Sequence, residues 1–146
     1  MTLRGRMIEA RWAHVVRDTL PDGEVLYSIG TDDYQGHVAI VAKLDDGRWL
    51  HYGWSYGSCS GCDAWEEDWN RYNATDAEQF EGQESVRAEI RNGAAIMDKD
   101  HFADYLVSCR AAGASWLRSK EDEESYSYET QIGLSVEELV ARVLQA

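Results

Sequence analysis

His37-Val38-Ala39-Ile40-Val41-Ala42-Lys43-Leu44, then Asp45-Asp46-Gly47, then Arg48-Trp49-Leu50-His51-Tyr52-Gly53-Trp54-Ser55-Tyr56 is the stretch that decides the fold. Two runs of apolar, β-branched and aromatic residues flank an Asp-Gly pair, and a type I′ turn, which needs positive φ at both central positions, favours that pair. The stretch is read as a β-hairpin with Asp46 and Gly47 as its loop. Asp45 then pairs with Arg48, and the same register sets His37 opposite Tyr56 and Gly36 opposite Gly57. A bulge or a three-residue turn would slide this register. On one face Val38, Ile40, Ala42 and Leu44 would stand beside Gly53, Ser55 and Gly57. On the other, Ala39 and Val41 would stand beside Tyr52, Trp54 and Tyr56. Neither face is polar, so a central sheet covered by helices on both sides is expected.

Upstream, Val25 to Ile29 reads as a further strand. Arg4 to Leu20 places Ile8, Trp12, Val15 and Val16 on one helical face, and Pro21-Asp22-Gly23 stops it. Downstream, Asp63 to Arg71 is a short helix. Thr75-Asp76-Ala77-Glu78 has the form of a capping box and opens a helix to about Asn92, with Gly93 placed for a left-handed C-terminal position. Asp98 caps a helix whose Phe102, Tyr105, Leu106 and Cys109 form an apolar stripe ending before Gly113. Ser115 to Ile132 mixes the acidic run Glu121-Asp122-Glu123-Glu124 with an alternation of Tyr126, Tyr128 and Thr130 that suits an edge strand. Ser135 to Glu138 is a second capping box, with Leu134 and Leu139 as a hydrophobic staple, and a last helix runs to Leu144. The expected fold is one α+β domain over residues 1–146. A small antiparallel sheet built on the central hairpin is packed by an N-terminal helix and several C-terminal helices.

A chain of 146 residues that is 44% hydrophobic and 28% charged can bury a core as a single domain. Its net charge of -13 is uneven. Arg4, Arg6, Arg11 and Arg17 against Glu9 and Asp18 make the first 20 residues +2, which leaves -15 for the rest. Such a body repels nucleic acid and anionic membrane and attracts basic protein surfaces. No window approaches a membrane span and no signal-peptide pattern follows the N-terminus, so a cytoplasmic setting is expected. Six Trp and eight Tyr against two Phe favour surfaces that are half apolar and half wet.

The hairpin register brings two polar, glycine-bearing segments to one end, with Tyr34 opposite Cys59 and Asp33 opposite Ser60. Asp33, Tyr34 and Gln35 on one side, with Ser58, Cys59, Ser60, Cys62 and Asp63 on the other, are the candidate binding residues. Asp33-Tyr34-Gln35-Gly36, the hairpin, and Tyr56-Gly57-Ser58-Cys59-Ser60-Gly61-Cys62-Asp63 with Trp65 close behind resemble a set of small uncharacterised proteins of bacteriophages and their bacterial hosts. The resemblance spans about residues 30 to 110 and implies a phage or bacterial cytosolic setting. It carries no catalytic role.

The Cys-x-x-Cys spacing of Cys59 and Cys62 suits half of a zinc site, with Cys109 or His37 as further ligands. A second such pair is absent. His101 and Cys109, eight residues apart on one helix, would be about 12 Å apart along its axis and cannot share an ion. A redox pair near a helix N-terminus would resemble thioredoxin, but that fold places a cis-proline after its cysteines, and Pro21 lies before them. Asp32, Asp33, His37, His51 and Asp63 could serve metal-assisted hydrolysis, yet the register points His51 at Ala42, far along the ribbon. No phosphate loop or nucleophile elbow is present, and no catalytic residue is assigned. The expected function is therefore binding without a cofactor, by a small acidic accessory protein that engages a host protein. An inhibitor whose acidic surface mimics nucleic acid is one form. The alternatives are a protein that sequesters a small molecule or nucleotide, and a zinc-binding protein using Cys59 and Cys62.

Overall fold

The computed structural model describes residues 2–31, 36–57, 64–117 and 130–145, and these described residues form twelve elements. They are β1 (Leu3–Arg4), α1 (Ala13–Thr19), β2 (Gly23–Gly30), β3 (Gly36–Leu44), β4 (Trp49–Tyr56), α2 (Ala64–Trp69), α3 (Asp76–Gly93), β5 (Ala95–Met97), α4 (Lys99–Ala111), a 3-10 turn (Ser115–Leu117), β6 (Thr130–Gly133) and α5 (Val136–Gln145). The strands make one sheet in the order β1-β2-β3-β4-β5, with β6 also on β2. Every pairing is antiparallel except the two residues of β1 on β2. The fold is α+β, with the β3-β4 hairpin at its centre. No described helix is long and apolar enough to cross a membrane.

The hairpin turn is one residue longer than the Asp-Gly signal implies. Leu44 N–H donates to Arg48 O at 2.8 Å and Gly47 N–H donates to Leu44 O at 2.9 Å, so Asp45, Asp46 and Gly47 form a three-residue loop. Gly47 takes φ +93, the left-handed bulge position that follows a type I turn. The register is therefore Gly36 to Tyr56, Val38 to Trp54 and Lys43 to Trp49, one step from the two-residue expectation. That step exchanges the faces of β4. Tyr52, Trp54 and Tyr56 join Val38, Ile40 and Ala42 and are buried, while Gly53 and Ser55 are exposed on the opposite face.

Two cores result, one on each side of the sheet. The first packs Val38, Ile40, Leu50, Tyr52 and Trp54 against the N-terminal stretch, α1, Trp65 and Trp69 of α2, and Val86 and Ile90 of α3. The second packs Ala39, Val41 and Trp49 against Phe102 and Leu106 of α4, Trp116, and Leu139 and Val143 of α5. Strand β2 contributes to both because its pairing with β3 shifts between Val25 and Tyr27. Val25 faces the first core, whereas Tyr27 and Ile29 face the second.

The N-terminal helix is shorter than its pattern. Ile8, Trp12, Val15 and Val16 are all buried as the spacing predicts, but only Ala13–Thr19 is helical. Gly5 (φ +93) and Trp12 (φ +76) are left-handed, which breaks any helix through them, and β1 takes the first residues into the sheet. The extended stretch is held by Ile8 N–H to Ser28 Oγ at 3.1 Å. Gly93 is the last residue of α3 rather than a left-handed cap; the chain leaves through extended Ala94 into β5. The capping boxes at Thr75 and Ser135 and the Asp98 cap on His101 N–H are all formed. Of the alternating residues Tyr126, Tyr128 and Thr130, the tyrosines lie outside the described residues and Thr130 opens β6.

Candidate binding surfaces

Asp33, Tyr34, Gln35, Ser58, Cys59, Ser60, Cys62 and Asp63, with Asp32, lie outside the described residues, and so does the cysteine pair of the zinc reading. The residues that bound the two segments meet. Gly36 pairs with Tyr56 across the hairpin, and Thr31 N–H donates to His37 O at 3.1 Å, closing the neck of the first segment. Tyr56 Oη donates to Thr31 O at 2.9 Å and lies 3.2 Å from Thr31 Oγ1. A Cβ on Gly36 would stand 1.6 Å from that Oγ1, so only glycine fits there without displacing Thr31.

Arg11 ties both ends of the second segment. One guanidinium nitrogen donates to Gly57 O at 2.7 Å and another pairs with Glu66 at 3.0 Å, linking the end of β4 to the first turn of α2. Its own carbonyl accepts from Trp54 Nε1 at 2.9 Å. Replacing Arg11 by Met or by Lys should each cost roughly 1–2 kcal/mol in urea denaturation, because a lysine keeps the charge without the fork that spans both partners. Full stability in Arg11→Lys would show that charge alone suffices.

His37 and Cys109, the further zinc candidates, lie in different settings. His37 is exposed on β3, its Nδ1 2.7 Å from Ser55 Oγ, while Cys109 is half-buried on α4 against the second core. Among the described residues no three His, Cys, Asp or Glu side chains stand together as metal ligands. His51 pairs with Val41 rather than Ala42 and is a satisfied strand histidine. Its Nδ1 lies 2.6 Å from Tyr105 Oη, and its ring stacks on Trp116 at 3.8 Å. Burial pushes His51 down to about 4, so at neutral pH the ring meets the Tyr105 hydroxyl uncharged. Burial, then Cys109, pushes Tyr105 up to about 12. Neither group is poised for proton transfer near pH 7.

The α2-α3 pair presents an acidic surface. Residues 64 to 84 carry seven carboxylates against Arg71 alone. Glu66 pairs with Arg11 and Asp68 with Arg71, whereas Glu67, Asp76 and Glu81 have no ion pair among the described residues. Two aromatic rings stand out of this surface, Tyr72 at 92% and Phe80 at 65% exposure. Phe80 has Asp76 one turn before it and Glu84 one turn after. The uneven charge of the sequence shows an acidic body without locating this surface, and the outward direction of Phe80 follows from α3 turning Gly82, Val86 and Ile90 inward. The chain matches no protein-family model, no curated protein and no solved structure.

Proposed function

We propose that this chain is a non-catalytic binding protein of a phage or its bacterial host, whose α2-α3 surface engages a basic partner protein with apolar anchor sites. The observation that carries this reading is the pair of exposed rings, Tyr72 and Phe80, on a surface where Glu67, Asp76 and Glu81 make no ion pair among the described residues. Exposed rings gain by burial in a partner, and mutually repelling carboxylates gain by meeting lysine or arginine. Such a surface recruits a basic protein electrostatically and holds it through a few aromatic contacts. Competition with nucleic acid for the same basic surface is the form of inhibition that this chemistry suits.

Calorimetric titration with two synthetic helical peptides of equal lysine content, one with a leucine face and one fully polar, tests it. The leucine-faced peptide should bind more tightly, with affinity falling steeply as salt rises. Phe80→Ala and Tyr72→Ala should each weaken it by about tenfold, the scale of a truncated aromatic anchor. Equal binding of both peptides, or indifference to Phe80→Ala, would sink the reading. The zinc alternative, which rests on Cys59 and Cys62, is tested separately by metal analysis of purified protein, where stoichiometric zinc would replace the cofactor-free reading.

A further inference from the structure

On the side of the sheet held by the N-terminal stretch, a groove of about 850 Å³ opens between Gly5–Ala10, α1 and β6. Its size falls within the range of about 300–1,000 Å³ typical of small-molecule sites. The lining is mixed, and its apolar part is formed by Met7 and Ile8, which are buried, and by Ala10, Ala13 and Ile132, which pack against the first core.

The groove also holds two guanidinium groups. Arg17 donates through Nη1 to Leu3 O at 2.8 Å and to Gly5 O at 3.1 Å. Those bonds fix the group while its Nε and Nη2 donors make no hydrogen bond among the described residues. A guanidinium already held in place loses little freedom when it binds an oxyanion. Arg6 lines the same groove, is exposed, and makes no ion pair among the described residues. Both belong to the stretch of the chain whose net charge is positive.

We propose that this groove binds a small amphiphilic anion, with an apolar body against Met7, Ile8, Ala13 and Ile132 and a single oxyanion head between Arg6 and Arg17. The site is separate from the α2-α3 surface and does not depend on its reading. The carboxylates of that surface are screened over about 8 Å at physiological salt. Glu9 and Asp18 line the groove as well, which limits the head to one negative charge.

Fluorescence titration of the full chain with anilinonaphthalene sulfonate, an apolar ring system with one sulfonate, reads the site directly. Octanoate as competitor offers the same chemistry with a carboxylate head. The expected result is one saturable site from which octanoate displaces the dye. Arg6→Glu, an exposed change that leaves Arg17 holding Leu3 and Gly5, should weaken both ligands by about tenfold. Glu9→Gln should tighten both by about twofold, the scale of one exposed charge. Phe80→Ser should leave both unchanged. The proposal is overturned by indifference to Arg6→Glu, by weaker binding in Glu9→Gln, by loss of the dye signal in Phe80→Ser, or by the absence of a saturable site.

Discussion

Gly82→Ala is expected to destabilise the protein by about 2 kcal/mol, against the direction that helix propensity alone predicts. Gly82 lies in the interior of α3, where alanine is the better helix former by about 1 kcal/mol. Yet α2 crosses so closely that a Cβ at this position would stand 1.9 Å from the carbonyl oxygen of Asp68 and 2.9 Å from its carbon. These are backbone atoms at the end of a helix tied to α3, with Gln79 donating through its side chain to Trp69 O. They cannot swing aside as a side-chain tip would, so α2 must shift from its seat and loosen Trp65 and Trp69 from Trp12. The centroids of those two rings lie 5.7 Å from that of Trp12 in edge-on contacts. The measurement is the urea midpoint of the variant beside Ser85→Ala, an exposed change on the same helix that should be neutral or mildly stabilising. A Gly82→Ala protein as stable as Ser85→Ala would show that α2 does not press on α3.

Acid should weaken the fold through His51. Its folded pKa is pushed by burial from 6.5 to about 4. Between those values the unfolded chain binds a proton that the folded chain refuses, so stability rises with pH across the window. The contribution is fully present above pH 6.5, falls as pH drops, and is lost below about 4; its size is roughly 3 kcal/mol. Carboxylates titrate in the lower part of the same range, so the decisive quantity is the difference between wild type and His51→Phe. That variant keeps a ring against Trp116 and leaves the Tyr105 hydroxyl, on a half-buried residue, to water. Wild type should lose stability relative to the variant between pH 6.5 and 4 and run parallel to it above 7. Parallel curves throughout would mean that water reaches the imidazole.

Local chemistry was legible in the sequence, and geometry set by distant partners was not. The capping boxes at Thr75 and Ser135 and the Asp98 cap lie within four residues of what they cap, so the residue types suffice to predict them. The hairpin was legible as well, but Asp-Gly serves a two-residue loop and the end of a three-residue one equally, and that single residue exchanges the faces of β4. The length of α1 was hidden because Gly5 and Trp12 turn left-handed to let β1 join β2, a partner about 20 residues away. β5 is three residues without alternation, recognisable only from its place beside β4. The candidate corner was flagged by its cysteines and glycines, whereas Arg11, which ties the residues on either side of 58–63, carries no motif. The amphiphile groove was invisible for the same reason, since it forms only when Thr130 and Ile132 reach the first twenty residues.

The division of the interior into two layers also makes the protein its own optical instrument. Trp12, Trp54, Trp65 and Trp69 belong to one layer, and Trp49 and Trp116 to the other. Trp49 is fully buried, its indole N–H has no hydrogen-bond partner among the described residues, and its ring stacks on Phe102, surroundings that shift emission toward the blue. Trp65 and Trp69 are partly open to water and emit further to the red, and their edge-on contacts with Trp12 couple the transitions that near-ultraviolet dichroism records. Loosening of α2 from α3 and of α4 from the sheet would thus appear as separate spectral changes, without any label attached to the chain.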